Sequence, residues 1–138
     1  MHCATYDVEW ELRQFIAEQD DTPFVEVEKI VSGQGIYNTY RFLAHQNPSA
    51  IDVELDQRIR QSKEPAAIIA QNAAQSSDET QQSPNPNPNP LCVEAVDMFV
   101  RALGRECGTL ALRFQPRAGC YVAGGGIAAK MTEQLCDG

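Results

Sequence analysis

The residues with the clearest chemical potential lie in Ala118–Met131, AGCYVAGGGIAAKM. Cys120–Ala123 is an apolar, β-compatible run, Gly124, Gly125 and Gly126 interrupt it, and Ile127–Met131 resumes with helix formers. The pattern predicts strand, glycine turn, helix. Glycine permits positive φ and, having no Cβ, lets a ligand come close to the backbone. The unpaired N–H groups at the start of the next helix then favour an anion, which points to a phosphate or a nucleotide. A tight connection that holds nothing reads equally well from the glycines alone.

Two other chemistries are poorly served. Gly124–Ala129 fits the G-x-G-x-x-A dinucleotide fingerprint, but that unit needs an acidic residue about 20 positions later, and the sequence as given runs to Gly138. His2 and His45 are isolated, and Cys3, Cys92, Cys107, Cys120 and Cys136 contain no CxxC, so no metal-ligand cluster is expected. The odd cysteine count predicts reduced, mostly buried thiols.

The sequence holds 138 residues, 43% of them apolar and 22% charged, with a net charge of −8. That length suffices for one small domain with its own core. An acidic chain without a basic run is a poor partner for nucleic acid or an anionic membrane. No apolar stretch reaches the roughly 18–20 residues of a membrane span, and the first residues do not read as a secretory leader. A cytoplasmic protein that meets small molecules is the expectation.

The elements that must position the chemistry follow from periodicity. Residues 7–18 place Val8, Leu12, Phe15 and Ile16 on one helical face, with Thr5 or Asp7 as candidate N-cap. Phe24–Ile30 alternates apolar and charged residues, leaving strand and short helix both open. Ser32–Gly35 is a glycine turn in which Ser32 or another turn residue can cap a helix over Ile36–Ala44. Residues 51–74 read as helix in pieces, Pro65 opening the second piece from its first turn. Residues 75–90 include SSDETQQSPNPNPNP, in which prolines alternating with asparagines remove donors and hold the chain extended. This linker or surface loop divides a front part, 1–74, from a back part, 91–138. Leu91–Leu112 carries Glu94, Asp97, Arg101 and Arg105 as one polar stripe, and apolar residues elsewhere predict a helix packed on several sides. Helix, strand, glycine turn and helix together predict an α/β arrangement.

Two stretches, VEKIVSGQGIYNTYRFL (Val27–Leu43) and AGCYVAGGGIAAKM, resemble bacterial glucokinases, the ATP-dependent hexose kinases of the actin-like ATPase (ribonuclease H-like) fold. EPAAI (Glu64–Ile68) and GTLAL (Gly108–Leu112) fall in the same order, so the resemblance covers almost everything outside residues 75–90. It implies a helix-rich fragment of the family's large domain, with 1–74 on the sugar side and 91–138 on the nucleotide side. It further implies that Glu28 accepts hydrogen bonds from sugar hydroxyls, that His2 ends the family's sugar motif, and that Gly124, Gly125 and Gly126 form the adenosine-side turn. The residues after His2 depart from the family pattern, the turn has one glycine more than usual, and Thr109 replaces a common asparagine. Glucose, ATP and Mg²⁺ are the implied ligands.

The family's N-terminal phosphate loop, its second phosphate loop and its catalytic aspartate have no counterpart in this sequence. The expectation is therefore a chain inactive by itself, with no catalytic residue of its own, and the competing one is a non-catalytic sugar- or nucleotide-binding remnant. Surfaces meant for absent strands are expected to make the isolated chain a homodimer or an aggregation-prone oligomer.

Overall fold

A computed structural model of the chain describes residues 4–74 and 87–123, with side chains from Val8 onward. Five α-helices follow in order: α1 (Ala4–Gln19), α2 (Gly33–Gln46), α3 (Val53–Gln61), α4 (Pro65–Ala73) and α5 (Pro90–Phe114). Single 3₁₀ turns at Val27–Lys29 and Pro48–Ala50 stand before and after α2.

Local chemistry accounts for the helix starts. Ser32 accepts from the Gly35 N–H at 3.0 Å and Asp52 from the Leu55 N–H at 3.1 Å. Asn89 accepts from both Leu91 and Cys92 N–H groups, so each of these caps satisfies donors that the first turn leaves unpaired. Pro65 and Pro90 occupy first-turn positions, where a missing N–H costs nothing. α3 adds Glu54 and Asp56 in its first turn and Arg58 and Arg60 in its last, both matched to the helix dipole.

The core is built around α2, whose Ile36, Tyr40 and Leu43 are almost wholly buried. α4 and the first half of α5 pack on it, α1 covers it with Leu12 and Ile16, and α3 closes against α4 with Leu55 and Ile59. Phe15 meets Phe42 with ring centroids 5.7 Å apart and planes tilted by 59°, within the separation at which aromatic pairs attract.

Several expectations change. α1 starts at Ala4, so Thr5 and Asp7 lie inside the helix and neither caps it; nothing between Ala4 and Val8 breaks a helix. Within Phe24–Ile30 only Val27–Lys29 is helical, as a 3₁₀ turn, and α2 starts three residues earlier than Ile36. Pro90 is the first residue of α5; residues 75–86 of the segment read as a linker or surface loop lie outside the described residues.

Among the described residues there is no strand. Cys120–Ala123, read as a strand, is exposed irregular chain. A strand exists through the pairing of its backbone, and no described segment pairs with this one. The described part is therefore helical where an α/β unit was expected, and the glycine turn and following helix of that unit lie outside it. α5 is also not packed on several sides throughout. Its burial ends at Ala102, because α5 has 25 residues against 14 in α2 and 9 in α4. At 1.5 Å per residue those lengths are about 37, 21 and 14 Å, so α5 outruns its partners.

Candidate functional site

Glu28 stands in the middle of the 3₁₀ turn, solvent-exposed, on the approach to α2. A carboxylate there would wander if the turn were loose, but two backbone carbonyls fasten it. Ser32 Oγ donates to the Glu28 carbonyl at 2.5 Å, and Asn38 Nδ2 donates to the Lys29 carbonyl at 3.0 Å. Gln34 Nε2 in turn donates to Asn38 Oδ1 at 3.1 Å, which fixes the amide's orientation. Ser32 thus works in both directions, capping α2 with one lone pair and holding the turn with its proton.

Gly35 makes the closeness possible. A Cβ built on it would lie 1.9 Å from the Ile30 carbonyl oxygen, so only glycine lets the first turn of α2 press against the backbone of the 3₁₀ segment. On the outer side Lys29 Nζ meets Asp20 Oδ2 at 2.9 Å, and that hydrogen bond and charge raise the lysine's pKa above its ordinary value. Behind the turn the Tyr40 phenol is pushed well up by burial, with the Asp56 carboxylate adding to the effect. Asp56 Oδ2 takes Arg60 Nε at 2.6 Å and keeps that charge compensated.

What this arrangement can do is hold the backbone from which one exposed carboxylate projects into solvent. A carboxylate can accept from two neighbouring hydroxyls of a polyol at once, and charge-assisted bonds are roughly twice as strong as neutral ones. Of the residues singled out by sequence, only Glu28 falls within the described set. His2, Gly124, Gly125 and Gly126 lie outside it. Sequence reading found Ser32 but missed Asn38, Gln34 and the reason for Gly35. Asn38 carried a usable signal, since an amide on the apolar face of a helix is 8% exposed only when a partner awaits it.

An open hollow of about 640 Å³ on another side is lined by Asp52, Arg58, Asn72 and Asn89. Its polar groups already serve the fold: Asp52 caps α3, Asn89 caps α5, and the Asn72 carbonyl accepts from the Asn89 N–H at 2.9 Å. Among the described residues no group of three His, Cys, Asp or Glu side chains could hold a metal ion, and no helix is long and apolar enough to cross a membrane.

Comparison with known proteins adds the decisive observation. The family model described as Glucokinase matches residues 2–138. The chain belongs to the glucokinase family. A glucokinase of Synechocystis sp. is 35% identical over 138 residues, covering 93% of this chain and 36% of the relative. A glucokinase of Nostoc sp. is 33% identical over 135 residues, with 91% and 36% covered. One from Mesorhizobium japonicum is 32% identical over 111 residues, covering 80% of the chain and 26% of the relative. No solved structure matches the chain. This glucokinase-family chain therefore spans just over a third of the length of its cyanobacterial relatives.

Of its cysteines, Cys92 is buried, Cys107 half-buried and Cys120 exposed. The expectation of mostly buried thiols therefore fails at two of these three, both at or beyond the stretch where α5 loses its partners.

Proposed function

We propose that the chain supplies the sugar side, and part of the nucleotide side, of a glucokinase-type phosphotransferase built on the large domain of an actin-like ATPase fold. In that reaction a phosphoryl group passes from ATP to the 6-hydroxyl of glucose. In this reading residues 1–74 serve the sugar and residues 91–138 the nucleotide, with His2 as a second sugar contact and Gly124–Gly126 near the adenosine. The observation that carries the reading is the fastening of the Glu28 turn to the start of α2 through Ser32, Asn38 and Gly35. A turn whose backbone is held in this way gives the Glu28 side chain a defined point of attachment from which to accept sugar hydroxyls.

Among the described residues no group of three His, Cys, Asp or Glu side chains stands together, and Mg²⁺ in this reaction would be carried largely on the nucleotide's phosphates. A positioned general base is worth roughly 10²–10⁴-fold, and phosphoryl transfer otherwise rests on clamping the phosphates. With neither in its sequence, the isolated chain should bind sugar without turning it over. Calorimetric titration of the folded chain with glucose checks this directly. Saturable heat that Glu28→Gln removes, with no product in a coupled kinase assay, is the expected result. Absence of glucose binding by the folded chain, or equal binding by Glu28→Gln, would overturn it.

A further inference from the structure

The overhang of α5 beyond Ala102 carries a thiol that the core does not enclose. Cys107 is half-buried there, and Cys120, in the segment after the helix, is exposed. The end of α5 brings the two back together. Gln115 closes the helix in the left-handed region at φ 45°, which turns the chain aside, and Pro116 bars any continuation of the helix. Gly119, at φ 103°, turns the chain a second time, in a conformation that a side chain would resist. The Tyr121 hydroxyl donates to the Ala118 carbonyl at 3.0 Å and holds this loop from within. As a result the Cys107 thiol stands close enough to that of Cys120 for a side-chain hydrogen bond. Both are free thiols, and Cys92, buried in the core, takes no part. Two thiols already in contact can close to a disulfide without the backbone moving far.

We propose that Cys107 and Cys120 are a reversible, peroxide-sensitive thiol pair that ties the chain after α5 back to the helix when it closes. Cys120, the exposed member, meets the oxidant first. Its thiolate sulfur attacks one oxygen of hydrogen peroxide, the O–O bond breaks, and the hydroxide released takes up the thiol's proton as water, leaving a sulfenic acid. The Cys107 sulfur then attacks the Cys120 sulfur. The S–S bond forms, the S–O bond breaks, and the departing hydroxide takes the Cys107 proton to make a second water. Two thiols are thus oxidised by two electrons while one peroxide is reduced to two waters. A dithiol reverses the step through a mixed disulfide. Partial burial and the neighbouring Cys120 raise the Cys107 pKa, which suits it to the second role and not the first. The tie ends four positions before Gly124, so on the proposed reading of residues 91–138 it joins the chain's oxidation state to the nucleotide side. The bond itself does not depend on that reading.

The test treats the whole folded chain with a small excess of hydrogen peroxide near neutral pH, blocks the remaining thiols and maps the peptides by mass spectrometry. The expected product is one cross-link within the chain, between the peptides that carry Cys107 and Cys120, opened again by dithiothreitol. Trypsin cleavage after Arg117, an exposed residue inside the closed ring, should slow by about fivefold or more on oxidation and recover on reduction, because cleavage needs a local opening that the ring opposes. In Cys107→Ser the cross-link should vanish, and a cyclic 1,3-diketone should trap Cys120 as its sulfenic acid. Passage of Cys120 to sulfinic acid with Cys107 still free overturns the proposal. So does a cross-link that joins either residue preferentially to Cys3, Cys136 or a second copy of the chain. Unchanged cleavage after Arg117 in the cross-linked chain overturns the tie.

Discussion

Two regions of the described structure use glycine in opposite ways. At the start of α2, Gly35 has no room for even one more carbon, the Ile30 carbonyl oxygen standing 1.9 Å from where it would go. On the last turns of α5, Gly104 and Gly108 face open space. The first region is finished: its cap, its buried amide and its close backbone contact all find partners inside the chain. The second has the sequence pattern of a packed helix without the packing. The difference separates what these residues complete by themselves from what they leave to be completed.

The largest effect should come from Gly35→Ala. The obstructing atoms belong to backbone, so the 3₁₀ turn or α2 must shift, and overpacking of this kind costs about 3 kcal/mol. A chain of this size should lose on the order of 10 °C in Tm, and the Glu28 turn should lose its place with it. A Gly35→Ala chain with unchanged Tm would break the comparison at its first term.

Thiol chemistry sharpens the contrast next. Cys92 lies in the finished region, where burial, with the Asp52 charge behind it, pushes its pKa from 9.0 up to about 12. Cys107 is raised by its partial burial and by the neighbouring Cys120, and Cys120 is exposed. With alkylating reagent at pH 8, followed peptide by peptide in the mass spectrometer, Cys120 should react first and Cys107 later. Cys92 should react only through global unfolding, several orders of magnitude more slowly. The sign of the linkage is also fixed. The folded state keeps the Cys92 proton while the unfolded chain gives it up, so this contribution is whole below pH 9 and is lost as pH climbs towards 12. Stability that rises over that interval would contradict the buried placement.

How much of this was legible in the sequence depends on the range of the physics involved. The Ser32 cap and Pro65 in a first turn are local, settled within four residues, and they appear as read. Gly35 was legible as a glycine but not for its reason. Nothing in SGQG says that the carbonyl of Ile30 will lie where a methyl group would be, because that is a matter of how two elements dock. Cys120–Ala123 has the composition of a strand, yet composition supplies no partner. The periodicity of α5 announced burial on several sides, but periodicity states what a helix is suited to pack against and not what is present. Glu28 became a candidate through family resemblance alone, since an exposed acid carries no signal of its own until its turn is seen fastened.

At about 1 kcal/mol, Gly104→Ala and Gly108→Ala test the other half of the comparison. Each removes the entropic cost of glycine from a helix interior and meets nothing, so each should stabilise the isolated chain by roughly 0.5–1 kcal/mol in chemical denaturation. Gly35→Ala and Gly104→Ala would then differ in sign, although the substitution is chemically the same. Destabilisation at Gly104 would mean that this face of α5 is already covered within the chain.

The smallest expected effect lies where the two regions meet. Arg105 reaches Glu9 and so ties α5 to α1, while Arg101 Nη2 meets Asp97 Oδ2 at 2.7 Å within the helix itself. The second pair has 59% and 49% of its side-chain surface exposed, so water screens it and ordering two long side chains offsets much of the attraction. Asp97→Asn should cost about 0.3 kcal/mol at low salt and nothing measurable at 1 M, where the screening length falls to about 3 Å. Arg105→Ala should cost somewhat more, about 0.5–1 kcal/mol, because it releases α5 from α1 as well as removing a charge pair. If the two substitutions cost the same at every salt concentration, the Glu9 tie does not anchor the base of the overhang, and the boundary between the regions must be sought nearer Ala102.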